Sequence, residues 1–305
     1  MTARTVRGTA VVLLLALIGC TDEGAAGPGS SAAAAPETRD CTPSGVELTP
    51  DVRYRQHTGS DPDLTSLDVH RPVLAEGCPP TPVLVWVHGG GWQVGDRRRQ
   101  VADKVDLLTS DGWTVVSTNY RLSPEVRYPT HNDDVAAAVG WVLDHSGELG
   151  LDPQRLTVMG HSAGAGIVAA VATDPRHLAV LDRAPRDLAC AVMLDNEAYD
   201  VEAAASEGRA VYLEAFGDDP AVWAEASPMN HLDAATSTAR SLVVTRGSNA
   251  RQGTAERFVE GLRQVGVEAE LLDVSPLDHA TVNRAVGQYG DRRVTPGIVD
   301  FLDGC

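Results

Sequence analysis

Positive charge is scarce in this chain of 305 residues: 25 Lys and Arg stand against 42 Asp and Glu, a formal net charge of −17. Such a surface repels polyanions, which excludes nucleic acid as a partner. The acidity by itself speaks only for solubility. Two further lacks narrow the field. No Cys-x-x-Cys spacing occurs among the five cysteines, so nothing supports a zinc-type metal centre. The apolar run at residues 10–18 is too short to span a bilayer as a mature helix. What remains is ordinary for a globular protein, with 43% hydrophobic and 22% charged residues. The length suits one large α/β domain or two small ones.

Arg4 and Arg7 precede the apolar run and polar sequence follows it, the pattern of an export signal over residues 1–19. The ending Leu17-Ile18-Gly19-Cys20 resembles a bacterial lipobox, which implies cleavage before Cys20 and lipid on its sulfur. The expectation is an exported lipoprotein anchored through Cys20 on the outer side of the cytoplasmic membrane. An ordinary secretory signal, giving a secreted protein, is the alternative. Residues 20–40 are rich in Ala, Gly, Ser and Pro and read as a flexible tether. Residues 41–305 form the folded domain. Export permits disulfides, and Cys41, Cys78, Cys190 and Cys305 allow three pairings that sequence leaves open. The favoured pairing joins Cys41 to Cys78, which flank the opening strands. It also joins Cys190 to Cys305, pinning the C-terminus to a central strand.

Short apolar segments then alternate with amphipathic ones. Strands are expected at residues 52–56, 66–70, 83–88, 114–118, 156–160, 189–195, 241–245 and 270–274. Helices are expected at 98–110, 133–144, 163–172, 253–265 and 296–302. The later strands are continuous apolar runs, as when both faces of a parallel sheet are covered. The fold class is therefore α/β, a mostly parallel eight-stranded sheet with helices on both faces. The first two strands lie too close for a helical crossover and should pair antiparallel. The long stretch between the sixth and seventh strands should carry a small helical lid.

Two motifs carry chemistry. Gly160-His161-Ser162-Ala163-Gly164 fits the G-x-S-x-G turn between a buried strand and a helix. Such a turn holds Ser162 clear of its neighbours, and the helix behind it aims free N–H groups at the point where an anion forms. His88-Gly89-Gly90-Gly91-Trp92 ends the third strand, and its glycines let backbone donors approach a substrate. Gly89, Gly90 and Ala163 are the candidate oxyanion donors. Trp92 is the candidate substrate-pocket residue, while Tyr199, Tyr212, Phe216, Trp223 and Met229 read mostly as the lid's own core.

With Asn119-Tyr120-Arg121-Leu122-Ser123-Pro124 and Asp133-Asp134-Val135, these segments resemble the α/β-hydrolase superfamily over residues 46–302. The likeness is to esterases similar to hormone-sensitive lipase and to the kynurenine formamidase-like branch. It implies the α/β-hydrolase fold and a serine carboxylesterase acting on a small-molecule ester through an acyl-enzyme. No metal or organic cofactor is implied. A formamide or amide hydrolase of the kynurenine formamidase-like type is one alternative. A non-catalytic, surface-anchored binding module is another.

The base should be a late histidine, and only His279 falls in a loop just after the final strand. His88 and His161 belong to backbone motifs and should hydrogen-bond structurally. In most of this family the acid follows the seventh strand. Here that turn reads Thr245-Arg246-Gly247-Ser248-Asn249-Ala250-Arg251 and holds no carboxylate. Asp195, at the end of the sixth strand, is the best replacement, with Glu197, Glu256 and Asp278 as lesser candidates.

Overall fold

The computed structural model describes residues 39–233 and 239–305. The expected signal segment, Cys20 and all but the end of the tether lie outside the described residues. The strands are β1 (Val46–Arg53), β2 (Ser66–Pro72), β3 (Thr81–Val87), β4 (Thr114–Thr118), β5 (Leu151–His161), β6 (Cys190–Leu194), β7 (Arg240–Thr245) and β8 (Ala269–Asp273). The helices are α1 (Ala102–Ser110), α2 (Thr130–Asp144), α3 (Ser146–Leu149), α4 (Ala163–Thr173), α5 (Pro175–Ala179), α6 (Val201–Ser206), α7 (Ala210–Phe216), α8 (Pro220–Ala226), α9 (Asn249–Gln264), α10 (His279–Ala285) and α11 (Val294–Leu302). Among the described residues, no helix is long and apolar enough to cross a membrane.

One sheet runs in the order β1-β2-β4-β3-β5-β6-β7-β8. β1 pairs antiparallel with β2, because the link between them leaves no room for a helical crossover, and β2 also pairs antiparallel with β4, which follows it only after β3 and α1. Every pairing from β3 onward is parallel. Side chains alternate between the two faces of each strand, so one sheet supports two cores. Val83, Val85 and Val87 pack with α2, α4 and α9; Leu84 and Trp86 pack with α1, α10 and α11. The chain leaves β3 toward β4 on one side and returns to β5 on the other. That reversal opens a crevice at the carboxyl ends of β3 and β5. Both glycine-rich motifs end there.

Three departures from expectation bear on the sheet and the site. β1 covers Val46–Arg53, displaced from 52–56, because this exposed edge strand contains Pro50 and its register breaks between Thr49 and Val52. β5 begins at Leu151, which pairs with Thr81 across a break at Pro82, a residue with no N–H to give the ladder. His279 is not in a loop. It is the first residue of α10, whose N-cap Asp278 accepts from the Thr281 amide at 2.7 Å. Between β6 and β7, helices α6, α7 and α8 form the lid. Disulfides join Cys41 to Cys78 and Cys190 to Cys305, with Cα atoms 5.8 and 5.9 Å apart. Cys78 just precedes β3 and Cys190 opens β6, so both bonds lie where the parallel strands begin.

Candidate active site

β5 ends at His161 and α4 begins at Ala163, leaving Ser162 alone at the turn with φ 55° and ψ −121°. A residue with a Cβ adopts that backbone only when its surroundings impose it. Here the Ser162 amide donates to Leu194 O at 2.9 Å, which ties the turn to the end of β6. The first turn of α4 is pressed against the end of β3. A Cβ on Gly164 would stand 2.3 Å from Val87 O and 2.5 Å from His88 O, so only glycine fits. The loop after β3 is equally close, since a Cβ on Gly89 would stand 3.1 Å from that of Ser162. Tyr120 Oη holds the loop by donating to His88 O at 3.0 Å, and the His88 ring stacks on Tyr120. The amides of Gly89, Gly90 and Ala163 donate to no backbone carbonyl among the described residues. They border the space in front of Ser162.

Three side chains from three elements meet at this turn. His279 Nε2 lies 2.9 Å from Ser162 Oγ, and its Nδ1 lies 2.6 Å from Asp195 Oδ2. A carboxylate can only accept, so Nδ1 carries the proton and Nε2 accepts from the serine hydroxyl. His161 braces the arrangement. Burial, with His279 nearby, pushes its pKa down to about 3. Its neutral ring donates through Nε2 to His279 O at 3.0 Å and lies 4.5 Å from the His279 ring. His88 donates to Gly89 O at 2.8 Å.

Asp195 is wholly buried and sits just past β6 with φ 50°. Its partners are unusual in a chain so poor in base. Arg246 Nε donates to Oδ2 at 2.6 Å and Arg251 Nε to Oδ1 at 2.7 Å. Burial works to raise its pKa, but His279, Arg246 and Arg251 outweigh it and hold the value down to about 2. The segment after β7 that lacks the usual carboxylate thus supplies two guanidinium groups, Arg246 from the turn and Arg251 from the first turn of α9, to a carboxylate at the end of neighbouring β6. Sequence reading missed both arginines. Their signal was two basic residues in one turn beside an otherwise acidic surface.

The lesser acid candidates are engaged elsewhere. Glu197 pairs with Arg251 and Arg209, Asp278 caps α10, and Glu256 is exposed on α9. Ligating atoms of His161, Asp195 and His279 fall within 4.8 Å of one another, a set able to hold a cation. Both ring nitrogens of His279 and both carboxylate oxygens of Asp195 are already spent in the hydrogen bonds above. Two cavities flank Ser162, of about 450 and 240 Å³, and Gly91, Ser162 and His279 border both. Trp92 lines the smaller one but is only 4% exposed, edge-on to Tyr212 and Phe216 of α7.

Residues 84–283 match the family described as alpha/beta hydrolase fold. Carboxylesterase NlhH of Mycobacterium tuberculosis is 40% identical over 131 residues, covering 41% of this chain and 40% of that protein. Esterase LipC of the same organism is 30% identical over 201 residues, covering 61% of this chain and 49% of the relative. The chain thus spans less than half the length of these relatives. Among solved structures, esterase B from Lactobacillus rhamnosis superposes with a TM-score of 0.70 at 18% identity, covering 86% of each chain. Thermogutta terrifontis esterase 2 superposes with a TM-score of 0.65 at 19% identity, covering 85% of this chain and 92% of the other. At such identities the likeness is one of fold. The length of the family match decides membership: the chain belongs to the alpha/beta hydrolase fold family.

Proposed function

We propose that this protein is a serine carboxylesterase that hydrolyses small carboxylic esters through an acyl-enzyme. The observation that carries the reading is the hydrogen-bonded series Ser162–His279–Asp195, at 2.9 and 2.6 Å, set on a strained turn. Ser162 Oγ attacks the ester carbonyl while His279 Nε2 takes its proton. Asp195 holds the ring in the tautomer needed and stabilises the imidazolium that forms. The carbonyl oxygen becomes an anion and is met by the amides of Gly89, Gly90 and Ala163; losing one such donor typically costs about 3 kcal/mol. His279 then protonates the departing alkoxide. Water, deprotonated by the same ring, releases the acid and restores Ser162. The names of the relatives NlhH and LipC support this reading. Ser162→Ala assayed on short p-nitrophenyl esters tests it, with undiminished turnover refuting the assignment. A fluorophosphonate probe that labels wild type and not Ser162→Ala separates a working nucleophile from a binding module.

We also propose export and lipid anchoring through Cys20. The support is the basic, apolar and Leu17-Ile18-Gly19-Cys20 sequence, together with two disulfides, which persist in oxidising compartments. Cys20→Ala should move the protein from the membrane to the soluble fraction of cells expressing it. Unchanged fractionation of that variant removes the anchor.

A further inference from the structure

The smaller cavity beside Ser162 sets a charged wall against an apolar one formed by Trp92, Val211 and Tyr212. Arg209, Arg246 and Arg251 line it, opposed by Asp195 and Glu197. Three guanidinium groups against two carboxylates leave an excess of one positive charge, in a chain whose net charge is −17. The two carboxylates are already taken. Asp195 receives His279, Arg246 and Arg251, and Glu197 receives Arg251 at 2.5 Å and Arg209 at 3.2 Å. Arg246 spends only Nε, at 2.6 Å from Asp195, while its side chain is 22% exposed. Among the described residues its two terminal nitrogens have no partner. They form a planar fork of donors that matches a carboxylate. The group sits three hydrogen bonds from the nucleophile, along Arg246–Asp195–His279–Ser162.

We propose that this cavity binds a carboxylate carried by one arm of the ester, with Arg246 as its main partner and Arg209 in support. The inference rests on the esterase reading and names its substrate class: monoesters of short dicarboxylic acids, or esters of short hydroxy acids. A structural clamp on Asp195 would need Arg251 and one nitrogen of Arg246. It would not need the unspent fork; Arg209, whose terminal nitrogens donate to Glu197 Oε2, adds positive charge to the same wall.

The test compares substrates that differ only in charge. For the acyl arm, the 4-methylumbelliferyl monoester of glutaric acid is set against the matching glutaramide ester. For the alcohol arm, the butyrate ester of glycolic acid is set against that of glycolamide. In one of the two pairs, wild-type kcat/KM should favour the charged ester at least roughly tenfold. That preference should shrink toward unity in Arg246→Gln and fall in Arg209→Gln, and it should weaken with added salt. The ratio within each variant cancels any general loss from disturbing Asp195. If Arg246→Gln is inactive or unfolded, Arg209→Gln, which touches no atom of Asp195, and the salt dependence decide alone. Turnover of the neutral esters with no charge preference overturns the subsite and leaves the esterase reading intact. A preference that survives both substitutions also overturns it. Turnover of none of the four esters removes the esterase reading and this inference together.

Discussion

Arg246 and His279 share one oxygen: Nε of the arginine and Nδ1 of the histidine both lie 2.6 Å from Asp195 Oδ2. The carboxylate that orients the base is thereby also the counter-ion of a guanidinium. Removing its charge should therefore act on rate and stability at once.

Asp195→Asn should lower kcat by about 10³- to 10⁴-fold with little change in KM, because an amide no longer selects the required tautomer. The same change leaves Arg246 and Arg251 facing a neutral group in a buried site. Unfolding free energy should fall by about 3 kcal/mol. Steady-state kinetics and denaturant titration read the two effects separately, and a full-rate variant removes Asp195 from the mechanism.

Gly164→Ala should abolish activity and strongly destabilise the protein. The new methyl carbon would stand 2.3 Å from Val87 O, which is backbone and cannot rotate away. Relief requires parting α4 from the end of β3, and the Ser162 turn lies between them. Thermal melting and ester hydrolysis should fall together; near-wild-type values in both would show the turn to be looser than this packing.

Acid should unfold the protein in two stages. Burial, ahead of nearby charges, pushes His131 down to about 4 and His161 down to about 3, from an ordinary 6.5. Unfolding lets these rings protonate more easily, so their contribution is present above about pH 6.5 and fades toward pH 4 and 3. Asp195 adds a second stage, present above 3.8 and lost as pH falls toward about 2. The Asp195 share is of order 2 kcal/mol. Melting temperature followed from pH 7 to pH 2 should show both limbs, with Asp195→Asn flattening the lower one and His161→Asn weakening the upper.

The disulfides should carry much of the resistance to denaturant. Loops of 37 and 115 residues are closed by Cys41–Cys78 and Cys190–Cys305. Chain-entropy arguments assign them about 4 and about 5 kcal/mol. Paired Cys190→Ala/Cys305→Ala should lower the denaturation midpoint more than paired Cys41→Ala/Cys78→Ala, and the reverse order would contradict the loop-length argument.

The parts of this site differ in how far sequence reveals them. The turn at Ser162 is legible in five residues, because its sterics demand glycine at Gly160 and Gly164 and act within one strand–turn–helix. The sheet is legible because parallel strands buried on both faces must be apolar throughout, as Cys190–Leu194 is. The acid is harder to read. Asp195 meets His279 across 84 positions, and no local pattern marks which carboxylate makes that contact. Its two arginine partners come from the turn where a carboxylate is usual, so reading that turn alone suggests a defect. Helix α10 has seven residues, too few for periodicity to separate it from a loop. β1 is expected too late in the chain, at 52–56, because Pro50 interrupts its alternation.

The cystines sit at one rim of the sheet and the reactive hydroxyl at the other. Within residues 40–305, Cys78 just precedes β3 and Cys190 opens β6, at the ends of the parallel strands remote from Ser162. The mouth beside Ser162 opens at the opposite ends of these strands, so neither covalent closure lies among the residues that border it.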